Sequence, residues 1–151
     1  MECVETIVDK AIAQLELPTA DCLKLPDDDI EQIVHSIEQA YVYVENRGRV
    51  WWNNLKHIES RCDEPASVSA GRISDVLPPH PEEHVYFVPD RDESDGIMNP
   101  VYLVRPLVLD RILKETWAYE FYVVSTRYSW LVANNDHSEV IICRAPIMKA
   151  E

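Results

Sequence analysis

Asp136, His137, Ser138 and Glu139 stand side by side near the C-terminus: an acid, a base, a nucleophile and a second acid. A hydrolase assembles that inventory, but from residues distant in the chain whose side chains converge in the fold. Four consecutive residues in a tight connection point in different directions. Asn134, Asn135, Asp136 and Ser138 are also types that turns select, because their side chains bond nearby backbone and Asn or Asp tolerates positive φ. The run is therefore read as a turn, with His137 the one member that turn chemistry does not explain.

The other candidates for chemistry are dispersed. His35, His57, His80 and His84 fall in helix, helix, loop and strand contexts, and Glu82 and Glu83 beside His84 read as solvated carboxylates rather than metal ligands. Cys3, Cys22, Cys62 and Cys143 are isolated, with no CxxC pair, so free thiols are expected and no metal. With only Gly48, Gly71 and Gly96, neither a phosphate-binding loop nor a dinucleotide fingerprint can be written, and no cofactor is expected.

Charge is more informative. The formal net charge is −13 over 151 residues. Residues 1–62 carry 12 acids and 6 bases, residues 63–99 carry 9 acids and 2 bases, and residues 100–151 carry 6 of each. Such a balance repels nucleic-acid phosphates and suits a basic protein partner or plain solubility. No stretch reaches the roughly 20 apolar residues of a membrane helix. The opening MECVETIVDK begins with acids where a signal peptide has basic and apolar residues, so a soluble, cytoplasmic protein without membrane contact is expected.

These residues must be positioned by elements that the patterning predicts. Val4, Ile7, Val8, Ala11, Ile12 and Leu15 form the stripe of an amphipathic helix that Pro18 ends. Pro26 followed by Asp27, Asp28 and Asp29 opens a second helix with Ile30, Ile33, Val34, Ile37 and Tyr41 on one face. Tyr41 to Val44 could extend it or begin a strand. Trp51, Trp52, Leu55 and Ile58 fall on helical spacing and predict a short third helix, from which only one tryptophan can face the core. Residues 63–83 have the composition of an acidic, Pro-rich loop with one short turn around Ile73 to Val76.

HVYFV (84–88) and VYLVR (101–105) predict an antiparallel pair with a long acidic connection. Pro106 starts a helix with Leu107, Leu109, Ile112 and Leu113 apolar and Asp110, Arg111, Lys114 and Glu115 polar. EFYVVS, YSWLVAN and EVIICR then form a meander. The whole is expected to be one α+β domain over residues 1–151: an antiparallel sheet of about five strands, covered on one face by two or three N-terminal helices and one helix inserted between strands. One of the alternating pairs Phe121/Val123 and Tyr122/Val124 would then face away from the helices, unless the sheet is covered twice.

The C-terminal half, with its Glu-aromatic-Tyr, Trp-Leu and Asn-x-His order at Glu120, Tyr122, Trp130, Leu131, Asn135 and His137 and the Trp51-Trp52 pair upstream, resembles a family of small bacterial proteins of uncharacterised function. The resemblance implies an α+β bacterial protein and brings no activity with it. Asp136 stands where a second histidine would be expected, so no paired-histidine site is implied.

Two functions are weighed. The leading expectation is a non-catalytic binding protein, an immunity protein or antitoxin-like inhibitor covering a basic surface of a bacterial toxin. Its contact residues would be Asp27, Asp28, Asp29, Glu82, Glu83, Asp90, Asp92, Glu93 and Asp95, with Trp51 and Trp52 as aromatic anchors. The alternative is a small hydrolase or ligand-binding domain with a cleft beside the last hairpin, using Asn135 and His137 as polar groups and Trp130 or Tyr122 as a wall.

Overall fold

The computed structural model describes residues 3–43, 51–79, 82–90, 99–116, 119–135 and 137–145. Helices and strands follow in the order α1 (Val4–Gln14), β1 (Cys22–Lys24), α2 (Asp27–Tyr41), β2 (Ile58–Asp63), α3 (Ala66–Ser69), a 3-10 turn (Ile73–Val76), β3 (Val85–Pro89), β4 (Tyr102–Val104), α4 (Pro106–Glu115), β5 (Phe121–Ser125), β6 (Trp130–Asn134) and β7 (Glu139–Arg144). All the described strands join one antiparallel sheet in the order β1-β4-β3-β5-β6-β7-β2.

The α+β class, the β3–β4 pair, the helix from Pro106 and the C-terminal meander stand as expected. The strand count does not: among the described residues there are seven, because β1 and β2 close the two rims. Nor is there a third helix at 51–58. Trp51 to Leu55 turn back instead, Leu55 bridges Val42, and Ile58 opens β2. Helical spacing over so few residues is outcompeted by backbone pairing to β7, which β2 follows from Ile58↔Cys143 to Asp63↔Glu139.

Helices cover both faces of the sheet, not one. Val85, Phe87, Tyr102, Val104, Phe121, Val123, Trp130, Val132 and Val140 pack with α1 and α4 through Val8, Ala11, Leu109 and Ile112. Tyr122, Val124, Leu131, Ala133, Ile141 and Cys143 pack with α2 through Ile30, Ile33, Ile37 and Tyr41. Every residue of β5 and β6 is buried, as strands enclosed on two sides require. Tyr41 pins α2 to the sheet: its hydroxyl donates to the Tyr128 carbonyl at 2.6 Å and accepts from the Ala145 N–H at 3.2 Å.

Within residues 63–83 the chain forms α3 and the 3-10 turn, the latter at the predicted place. That turn docks on α4 through Asp110, whose carboxylate accepts the Ser74 N–H at 3.1 Å and the Ser74 hydroxyl. The pattern places Asp110 on the polar side of its helix, yet it is buried, and these two donors make that burial tolerable.

Candidate functional site

The connection between β6 and β7 is organised by Asn135. Its Oδ1 accepts the N–H of His137 at 3.0 Å and of Glu139 at 3.1 Å, and its Nδ2 donates to Glu139 Oε1 at 3.0 Å. Ser138 sits at φ +56°, a left-handed conformation suited to the tight reversal. Arg61 on β2 reaches Glu139 with two N–H donors, at 3.0 and 2.9 Å, which with Asn135 holds the carboxyl at about 2, far below its usual value. Asn135 and Glu139 thus serve the turn and its attachment to β2, and the Ser138 hydroxyl is exposed without a hydrogen-bond partner among the described residues. Asp136 lies outside the described residues.

Most of the aromatic candidates meet on the α2 side of the sheet. Tyr122 is 1% exposed, and its hydroxyl accepts the Trp52 N–H at 3.0 Å and makes a long bond to Asp90 Oδ2 at 3.5 Å. The Trp51 ring lies 4.9 Å from the Tyr122 ring, and its indole N–H donates to Glu38 Oε2 at 3.0 Å. Trp52 stands edge-on to His137, ring centres 5.2 Å apart. One tryptophan is buried and the other lies at the margin, so the predicted division of the pair is met without the predicted helix. Burial, with Asp90 adding to it, pushes the Tyr122 hydroxyl pKa upward, and the group stays neutral. Trp130 points to the opposite face, so it shares no wall with Tyr122.

The acids separate into two kinds. Glu82 pairs with Arg127 at 3.1 Å, Glu83 with Arg105 at 3.6 Å, and Asp90 takes the Tyr122 contact. Asp27, Asp28 and Asp29 occupy the first turn of α2, all exposed, followed by exposed Glu31, and none forms an ion pair among the described residues. Asp92, Glu93 and Asp95 lie outside the described residues, as does His80. No group of three or more His, Cys, Asp or Glu side chains among the described residues is placed to hold a metal ion, and none of the described helices is long and apolar enough to cross a membrane.

A cavity of about 500 Å³ opens beside the last hairpin, on the face that α4 covers. Asn135 lines it as the sequence suggested, but its aromatic walls are Tyr119 and Phe121, and Glu64 and Lys114 supply its charges. The sequence pattern gives Phe121 to a strand and Lys114 to the polar side of a helix, and it gives none of the four a place in this cleft. Glu64 follows an edge strand and Lys114 lies in the last turn of α4, and the docking of the 3-10 turn on α4, with α3 packed on that turn, brings them to one place.

A family model, "Family of unknown function (DUF6756)", matches residues 3–150. The chain belongs to DUF6756. No curated protein and no solved structure matches it. Membership in DUF6756 agrees with the expectation of an uncharacterised family and covers nearly the whole chain, and an activity must be argued from the geometry alone.

Proposed function

We propose that the chain is a non-catalytic binding protein that covers a basic surface of another protein, and that this partner is a bacterial toxin whose basic substrate groove it occludes. The supporting observation is the outward side of α2, where Asp27, Asp28, Asp29 and Glu31 are exposed and without a cation among the described residues. Acids in a first turn complement the helix dipole, which rewards one or two such charges by about 0.3–1 kcal/mol each. Three in succession with a fourth beyond them exceed that need, and like charges so close repel one another until a cation arrives. Glu82, Glu83 and Asp90, which already have partners within the chain, are subsidiary to this surface.

The test is capture followed by salt titration. The full chain and a triple variant, Asp27→Asn, Asp28→Asn and Asp29→Asn, are each immobilised and exposed to lysate of the source organism. Retention of a basic protein at low salt, its release as salt rises, its loss in the variant and suppression of its toxicity on co-expression are expected. If no basic protein is retained even at low salt, the reading is wrong.

A further inference from the structure

The cavity beside the last hairpin carries two charges of opposite sign that no described residue neutralises. Glu64 accepts the Ser69 hydroxyl at 2.9 Å on Oε1 and the Asn134 Nδ2–H at 3.0 Å on Oε2, both neutral donors. Lys114 makes no ion pair among the described residues, and its separation from Glu64 exceeds the 4.0 Å of a salt bridge. Its stem crosses Gly71 so closely that a Cβ there would stand 2.7 Å from Lys114 Cγ.

Asn134 supplies a third group. It is 9% exposed, and both of its amide hydrogens have acceptors, Glu64 Oε2 at 3.0 Å and the Glu139 carbonyl at 3.1 Å. Two acceptors fix the orientation of the amide, so the remaining atom is an oxygen, and that Oδ1 receives no donor from the described residues. Val68, Leu113, Phe121 and the ring of Tyr119, whose hydroxyl is held by Thr116 Oγ1 at 3.0 Å, form the apolar part of the lining, and Ser69, Thr116, Asn135 and Ser138 add neutral polar groups. Ligand cavities run from roughly 300 to 1,000 Å³ and combine apolar walls with a few convergent polar groups, as here.

We propose that this cavity binds a small zwitterion, an amino acid with an aromatic or aliphatic side chain. Its ammonium group would sit between the Glu64 carboxylate and Asn134 Oδ1, its carboxylate on Lys114, and its side chain against Val68, Leu113 and Phe121. A simple cation leaves Lys114 unanswered, and a simple anion meets Glu64; a zwitterion neutralises both at once. The site lies across the sheet from α2, so it neither needs nor excludes the protein partner.

Calorimetric titration of the full chain with phenylalanine, leucine, N-acetylphenylalanine and phenylalaninamide decides the matter. Both free amino acids bind, and removing either charge from the ligand weakens binding about 10-fold or more, the loss expected when a charged hydrogen-bonded partner is deleted. Glu64→Gln abolishes discrimination against the N-acetyl compound and Lys114→Met against the amide, while the triple α2 variant binds as the parent does. Absence of binding by both free amino acids, or equal binding of the derivatives by the unaltered chain, overturns the proposal without touching the α2 reading.

Discussion

The hydroxyl of Tyr122 receives the backbone N–H of Trp52 at 3.0 Å, tying a central strand to the loop that carries both tryptophans. Replacing Tyr122 with Phe keeps the ring against Trp51 and removes the acceptor. The stranded N–H costs about 1–3 kcal/mol of stability. Urea denaturation followed by tryptophan fluorescence measures that loss; an unchanged midpoint would show that water satisfies Trp52 equally well.

Glu139 sets an acid limit on the β2–β7 attachment. Its carboxyl titrates at about 2 in the folded chain against an ordinary 4.5, because Arg61 and then Asn135 bind the ionised form. A depressed carboxyl contributes stability above its unfolded value and loses it as pH falls, so the contribution fades between 4.5 and about 2. Carboxyl-carbon NMR should find Glu139 titrating higher in Arg61→Gln, and the stability of Glu139→Gln should fall less steeply over that window. Parallel pH profiles for parent and variant would refute the assignment.

The four thiols should divide by burial. Cys3 and Cys62 are exposed and Cys22 and Cys143 buried. Burial raises the Cys22 thiol to about 11 and the Cys143 thiol to about 12, whereas the Thr6 hydroxyl lowers that of Cys3. Alkylation near neutral pH, followed by peptide mass spectrometry, should label Cys3 first, Cys62 next, and the other two only after unfolding. Early labelling of Cys143 would contradict the packing of β7 on α2.

Gly71 is at φ +87° with Lys114 crossing it. Gly71→Ala meets both a left-handed backbone and a side-chain clash, and a loss of about 1–2 kcal/mol is expected from the backbone part alone. Adding Lys114→Ala should recover only the steric share. Full recovery in the double variant, read from thermal midpoints, would show the conformation itself to be without cost.

The elements legible from the sequence are those whose burial imposes a period. Val4 to Leu15 and Ile30 to Tyr41 read as helices because one side of each is buried, and the uninterrupted apolar runs in FYVV, WLVA and VIIC mark strands enclosed on both sides. Coverage of one face was the expectation, and the second helical layer, α2 on the Tyr122 side, is what removes the alternation. β2 was missed for the opposite reason: all six of its residues are exposed, so no apolar signature exists and only the ladder to β7 defines it. The same division holds for the sites. Asn135 is readable as a turn residue because its bonds are local, whereas Glu64, Asn134 and Lys114 meet through tertiary packing that no local pattern records.

The exposed strand IESRCD has a consequence for how the molecule keeps to itself. As a terminal member of the sheet, β2 turns an unladdered row of backbone donors and acceptors outward, the kind of rim onto which another chain can graft a strand. Glu59, Arg61 and Asp63 line it with charge at every second residue, and Glu59 and Arg61 are anchored by Arg144 and Glu139. A grafted strand would have to accommodate these charges along its length. The same six residues that complete the sheet therefore give its rim a charge pattern of the kind that disfavours strand addition, in a segment where the hydrophobic pattern is silent.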